Sequence, residues 1–295
     1  MNIKYGNCFL GKTLILYDNF VEVEVTLDVG PRIIGFRPIN GFDVMFKDET
    51  DKVNHDCSNL YGKGEKWHLY GGHRLWLAPE DESTYYPDNS PITYETNAKS
   101  VTFTSCKRKN VEVATAISVT FIGNGEIEVT HYVKNLGKKR TFSLWALTAL
   151  KSGGTLTIPF SAENTGYLPN RNIVMWHYSS FSDSRLNIEN DKITVKSDVG
   201  IPKPFKLGTF CKDLRVSYEL ENHGEKQTFI KAVTCAQNGL FPDFNCNMET
   251  YCSHLIHEIE TLSAFKELDT EETLTHTERW SVIKTSKLKT DKRSI

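Results

Sequence analysis

Apolar and polar residues alternate along much of this chain. Val21-Glu22-Val23-Glu24-Val25-Thr26-Leu27-Asp28-Val29 keeps a strict period of two until Gly30-Pro31 stops it. Side chains on a strand point alternately to opposite faces, so the odd-numbered positions form a buried face. The same reading predicts strands over 100–105, 111–121, 126–134, 141–150, 192–196, 214–220 and 228–234. Between them, Gly123-Asn124-Gly125, Glu189-Asn190-Asp191 and Asn222-His223-Gly224 read as turns, since Asn and Gly tolerate the positive φ of tight hairpins. No segment carries a sustained 3.6-residue apolar repeat with caps at both ends, so long helices are not expected. Many short strands at this spacing predict an all-β protein, a large antiparallel β-sandwich of two packed sheets. The stretch 51–90 is strand-poor and rich in Gly, His, Trp, Tyr and Pro. It reads as a long insertion over the sheet, and such loops inside compact domains are more often functional than idle.

Composition narrows the function. The chain has 295 residues, 39% hydrophobic and 24% charged, which fits one sandwich domain over 1–295 with a polar basic tail from about 284. A net charge of −2 gives no field that would draw nucleic acid or an anionic membrane. The first residues lack a basic and then apolar signal segment, and no run is long enough to span a bilayer, so a cytoplasmic protein is expected. Seven cysteines without a Cys-x-x-Cys pair point to buried thiols, not to disulfides or zinc. Nine histidines include no His-x-His or His-Glu-x-x-His spacing, and no glycine-rich phosphate loop or Gly-x-Ser-x-Gly elbow occurs. Neither a metal nor another cofactor is therefore expected.

The candidate chemistry lies in four places. In His254-Leu255-Ile256-His257-Glu258-Ile259-Glu260-Thr261-Leu262, strand alternation puts Glu258 and Glu260 on one face and His257, Ile259 and Thr261 on the other. Paired acids on a half-buried strand line a site; the alternative is a solvated sheet face with ordinary glutamates. Within the insertion, Trp67 to Glu80 offers aromatic platforms beside His73, Arg74 and Trp76. Aromatic faces flanked by hydrogen-bonding groups suit a sugar, whereas the structural alternative is an aromatic plug with Arg74 in an ion pair. Trp176-His177-Tyr178, Asp183-Ser184-Arg185 and Phe205-Lys206-Leu207 mix charges with aromatics near chain turns. Lys206 reads equally as a sugar or phosphate ligand and as an edge-strand lysine that discourages aggregation. Asp243 and Glu249 precede the acidic strand and are placed to rim the same cleft.

Several of these segments together resemble the galactose mutarotase-like superfamily of aldose 1-epimerases and their relatives. The resemblance rests on Leu27-Asp28-Val29-Gly30-Pro31-Arg32-Ile33, Gly71-Gly72-His73-Arg74-Leu75-Trp76, Asn135 followed by Leu144-Trp145-Ala146-Leu147, and Glu258-Ile259-Glu260-Thr261-Leu262 followed by His276-Thr277-Glu278-Arg279-Trp280. It implies a sandwich whose concave sheet holds a sugar, with Glu260 as general base on the anomeric hydroxyl and Glu258 beside it. An acid protonates the ring oxygen in that chemistry, and both groups work best with a pKa near the working pH. The strand that carries the acid histidine in true mutarotases reads Ser143-Leu144-Trp145-Ala146-Leu147-Thr148 here, with no histidine. The acid must come from elsewhere, with His73 the first candidate and His177 the second. Arg74, Trp76, His177, Asp183, Lys206 and Asp243 are the expected contacts to a sugar or sugar phosphate, phosphate being favoured only if Lys206, Arg74 and Arg171 converge. The competing reading is a non-catalytic sugar-binding protein. A glycoside hydrolase is a weaker third, because its two carboxylates flank the bond roughly 5–9.5 Å apart. Sequence does not fix the oligomeric state.

Overall fold

The structure, a computed structural model, describes residues 1–106, 110–234 and 239–285. Cys235 and the tail beyond 285 lie outside these. Two large antiparallel sheets pack face to face as a β-sandwich. One, of eleven strands, runs in the order Asn2–Cys8, Gly11–Tyr17, Val21–Thr26, Ile33–Pro38, Gly72–Ala78, Arg140–Lys151, Ile256–Leu262, Met248–Cys252, Phe205–Thr209 and Val174–Met175, with Lys266–Leu268 on the far end of Arg140–Lys151. The other has ten strands, with Thr273–Thr285 paired between Glu225–Thr234 and Glu126–Asn135 near its middle. Among the described residues the only helical segments are single turns.

The core lies where the inner faces meet. Leu14, Val23, Phe36, Val129, Phe229 and Trp280 are buried in one cluster there, and Phe36, Phe229 and Trp280 meet edge to face. Such pairs add about 0.5–1.5 kcal/mol beyond their burial. Strands 192–196, 100–104 and 126–135 appear as the alternation predicts, within a residue at each end. Asn124 and His223 take the positive φ of 54° and 49° that their turns require.

Two expectations needed correction. Val21–Thr26 is shorter than its pattern and buried on both faces, because Glu22 pairs with Lys4 and Arg37 and Glu24 accepts from Thr13. The stretch 51–90 is not a loop throughout: Gly72–Ala78 is a central strand of the larger sheet, flanked by Ile33–Pro38 and Arg140–Lys151. Six of its seven residues are buried. Burial on both faces erases the alternation by which a strand is recognised.

Candidate functional site

Five adjacent strands of the larger sheet build the floor of one cleft. Their register sets Arg74, Leu147, Glu260, Glu249 and Gly208 in one row across the sheet, each opposite the next. The next row holds Ala149, Glu258, Tyr251 and Lys206. Trp76 and Trp145 stand side by side in a third. The cleft encloses about 580 Å³ and is walled by Trp67, Trp76, Tyr85, Trp145, Trp176 and Tyr178. Arg74, Lys206, His254, Glu258 and Glu260 reach into it, with Glu80 also part of the lining. A floor of charges within aromatic walls matches the general form of a small-molecule site.

Each cation lies against aromatic rings and holds a carboxylate. The Arg74 guanidinium is 4.4 Å from the centre of the Trp76 ring and donates to Glu258 Oε1 at 2.9 Å. Lys206 Nζ is 4.6 Å from the ring centres of both Trp145 and Trp176. It contacts two carboxylates, Glu260 Oε2 at 3.0 Å and Glu249 Oε2 at 2.9 Å. Trp145 Nε1 donates to the same Glu260 oxygen at 2.9 Å. Among the described residues the two donors to Glu260 thus converge on Oε2, and none is on Oε1. Ser179 Oγ both donates to the Lys206 carbonyl and accepts from its N–H, each at 2.7 Å, which fixes the lysine near the sheet edge. Gly208 leaves room for Glu249, since a Cβ there would sit 2.6 Å from Cys246 Sγ and 3.3 Å from Glu249 Cγ.

Three carboxylates and two cations share this floor, and the imbalance shows in their protonation. Burial raises Glu260 above the ordinary glutamate range, with Lys206 opposing and Glu258 adding to the rise. Glu249 is raised further, by burial first; Lys206 opposes this, while Glu260 and Asp243 add to it. Among the described residues neither of its buried oxygens has a hydrogen-bond partner of good geometry, Oε2 having the ion-pair contact to Lys206 alone. A buried ionised oxygen without a donor is costly, so burial favours the protonated form of Glu249 more than that of Glu260. Burial pushes Lys206 towards losing its proton, but Glu260 and Glu249 together outweigh this and hold it above the ordinary lysine range.

The structure brings together Glu258, Glu260, Arg74, Trp76 and Lys206 among the residues singled out from sequence. Lys206 is 5% exposed and ion-paired, so it is not the edge lysine of the simpler reading. His73, expected as an acid, points to the opposite face. It is fully buried between the sheets, its Nε2 2.6 Å from His131 Nε2 and its Nδ1 2.9 Å from Thr148 Oγ1. Burial, and His131 next, lower its pKa well below the ordinary value, so it is neutral and out of reach of a ligand in the cleft. The reason is parity: Arg74 faces the cleft, so its neighbour His73 cannot. His177 is exposed, stacks edge-on against Tyr178 and does not line the cleft. Asp183 is spent on Arg185, which it binds through both carboxylate oxygens at 2.9 Å. Asp243 does not line the cleft; it sits on a left-handed turn at φ 51°, and its charge adds to the rise of Glu249. Arg171 lines a different hollow beside Lys212, so it does not converge with Arg74 and Lys206.

Trp145 is a site residue that the sequence did not single out, Trp176 and Tyr178 stood out only as neighbours of His177, and Glu249, expected at the rim, lies on the floor row beside Glu260. Met248-Glu249-Thr250-Tyr251-Cys252 does alternate, but that Glu249 stands opposite Glu260 depends on a strand register that one sequence does not reveal. Inside the sandwich, His73, His131 and Glu278 bring three potential metal-ligating atoms within 4.8 Å of one another, a grouping the local histidine spacings concealed. The Lys231 ammonium is already 2.8 Å from Glu278 Oε1.

The sequence matches no protein-family model and no curated protein sequence. Solved structures do resemble it. Slr1438 from Synechocystis sp. PCC 6803 superposes with a TM-score of 0.53 at 9% identity, covering 92% of this chain and 96% of that one. YeaD from Salmonella typhimurium, named a "putative mutarotase", gives 0.51 at 10% identity, covering 96% and 94%. With the two antiparallel sheets and their order, these likenesses show the fold: the chain shares the large antiparallel β-sandwich of Slr1438 and YeaD. No helix among the described residues is long and apolar enough to cross a membrane.

Proposed function

We propose that the protein is a carbohydrate-active enzyme of the aldose 1-epimerase kind, with Glu260 as the general base on the anomeric hydroxyl. The observation that carries this reading is the pair Glu258 and Glu260, side by side on the floor of a tryptophan-walled cleft, with Oε1 of Glu260 engaged by no donor among the described residues. The walls suit the C–H faces of a pyranose and the floor its hydroxyls. Burial moves Glu260 from the ordinary carboxylate range towards neutrality, the direction a proton acceptor for a weakly acidic hydroxyl requires. Arg74 fixes Glu258 as a hydroxyl acceptor next to it. The mutarotase name of YeaD is a property of that protein and supports the reading through the shared fold only.

A non-catalytic sugar-binding protein is the second reading, favoured by one observation: the position opposite Glu260 on the neighbouring strand is Leu147, and no histidine of that strand faces the cleft. Saturation-transfer NMR of anomer interconversion, on a panel of free and 6-phosphorylated aldoses, separates the two. Exchange enhanced by the wild type and reduced about 100-fold or more in Glu260→Gln is the expected result. Sugar resonances broadened by binding without enhanced exchange would favour the binder.

A further inference from the structure

Opening a sugar ring needs a proton removed from the anomeric hydroxyl and another delivered to the ring oxygen. Both oxygens are bonded to the same carbon, so a base and an acid that touch each other can serve both from one side of the sugar. His73 cannot be that acid and His177 is outside the cleft. Lys206 Nζ lies 3.0 Å from Glu260, in the cleft lining, and is held on its far side by Glu249.

Resting on the epimerase reading above, we propose that Lys206 is the proton donor to the ring oxygen, paired directly with Glu260, while Glu249 stands behind it as a neutral carboxylic acid. The anomeric O–H proton passes to Glu260 as the carbonyl forms, the bond from the anomeric carbon to the ring oxygen breaks, and its electron pair takes a proton from the Lys206 ammonium. An open-chain aldehyde, a neutral Glu260 and a neutral amine result. After the carbonyl turns over, the hydroxyl attacks its other face and gives its proton to the amine, and Glu260 returns its proton to the new anomeric oxygen.

The surroundings make the two transfers depend on each other. Burial alone pushes Lys206 towards the amine, and Glu260 is the first of the carboxylates that oppose this; with Glu249 neutral, the charge of Glu260 is what holds the proton. Once Glu260 has taken the anomeric proton, and with Glu249 already neutral, the lysine stands buried between two uncharged carboxyls against Trp145 and Trp176. The base step thereby turns the ammonium into an acid. Of the other titratable groups lining the cleft, Arg74 is paired with Glu258, burial keeps Tyr178 and Tyr251 protonated, and Glu80 makes no ion pair with Lys206 among the described residues.

The test is Lys206→Arg, which keeps the positive charge and its carboxylate partners but cannot release a proton. Its expected anomer exchange is at least about 100-fold below wild type while sugar line broadening persists. Exchange at the wild-type rate would show that charge alone suffices and would overturn the assignment, leaving the epimerase reading intact. A wild type that accelerates no aldose would overturn both. Should the arginine no longer bind sugar, Lys206→Cys decides: aminoethylation rebuilds an ammonium at lysine length, and exchange must return in the treated variant, with treated wild type as the control. No recovery in a variant that still binds sugar sinks the proposal.

Discussion

Two buried lysines sit against glutamates on opposite sides of the same sheet, and they differ in how completely they are matched. Lys231 lies between the sheets at 0% exposure, 2.8 Å from Glu278 and 3.2 Å from the carbonyl of Ile259. Glu278 accepts in addition from Thr261 and from Trp280 Nε1 at 2.8 Å, and His276 Nε2 lies 2.8 Å from Thr261 Oγ1. One cation faces one carboxylate, the other partners are neutral, and Lys231 pulls Glu278 below the ordinary glutamate range in spite of its burial. Lys206 instead faces two carboxylates, one with an oxygen that no donor among the described residues reaches, at the edge of a cleft. A matched pair has no proton to exchange and belongs to the architecture. An unmatched cluster carries a surplus proton, and that is a condition for chemistry.

Breaking the matched pair should give the largest effect on stability. Lys231→Met strands an ionised Glu278 in the core and should cost about 3–5 kcal/mol, read from the chemical denaturation midpoint. Adding Glu278→Leu to Lys231→Met should recover most of it, since well-packed apolar residues often replace a buried pair at little cost. A single Lys231→Met that unfolds at the wild-type midpoint would end the claim that the interior pair is structural. On the cleft side, Trp145→Phe keeps a ring beside Lys206 but removes the donor to Glu260. Losing a hydrogen bond to a charged group costs about 1.5–3 kcal/mol, so exchange should fall about 10- to 100-fold with sugar affinity nearly unchanged. An equal loss in affinity would mean that the indole acts on the sugar and not on Glu260.

How far this contrast could be read from sequence follows from what each feature requires. Glu258 and Glu260 share a face by parity alone, and so does the opposite placement of Ile259 and Thr261; both are as alternation predicts. The same parity, applied to Gly72–Ala78, would have separated Arg74 from His73, but only once that stretch was known to be a strand. Its Gly71-Gly72 start and double-sided burial conceal it: Gly71 and Gly72 both take positive φ, and a Cβ on Gly72 would meet the Ile33 carbonyl oxygen at 2.3 Å. The partnerships of Lys206 are a matter of register. It reaches Glu249 on the adjacent strand and Glu260 one strand beyond, and each of these lies more than 40 residues along the chain from Lys206. Nothing local to Phe205-Lys206-Leu207 distinguishes a clustered lysine from one facing water.

The smallest expected effect tests the surplus proton itself. Glu249 is raised by burial, so the folded protein keeps its proton at a pH where the unfolded chain has released it. For a carboxyl raised in this way, stability is full below the ordinary glutamate value of 4.5 and falls as the pH climbs towards the folded value. Glu249→Gln imitates the protonated acid and does not titrate. It should therefore match the wild type in acid and exceed it increasingly as the pH rises, by on the order of 1 kcal/mol at mildly alkaline pH, the low end of what an unsatisfied buried polar group costs. Denaturation midpoints collected from pH 5 to pH 9 read this directly. The corresponding change in the interior, Glu278→Gln, has the opposite sign: Glu278 is lowered, its contribution is present above the ordinary value, and the variant should be the less stable protein at neutral pH. If Glu249→Gln instead loses stability as the pH rises, Glu249 is ionised in the fold and Lys206 is shared by two anions. The ammonium would then stay fixed after Glu260 is protonated, and the two lysines would be alike after all.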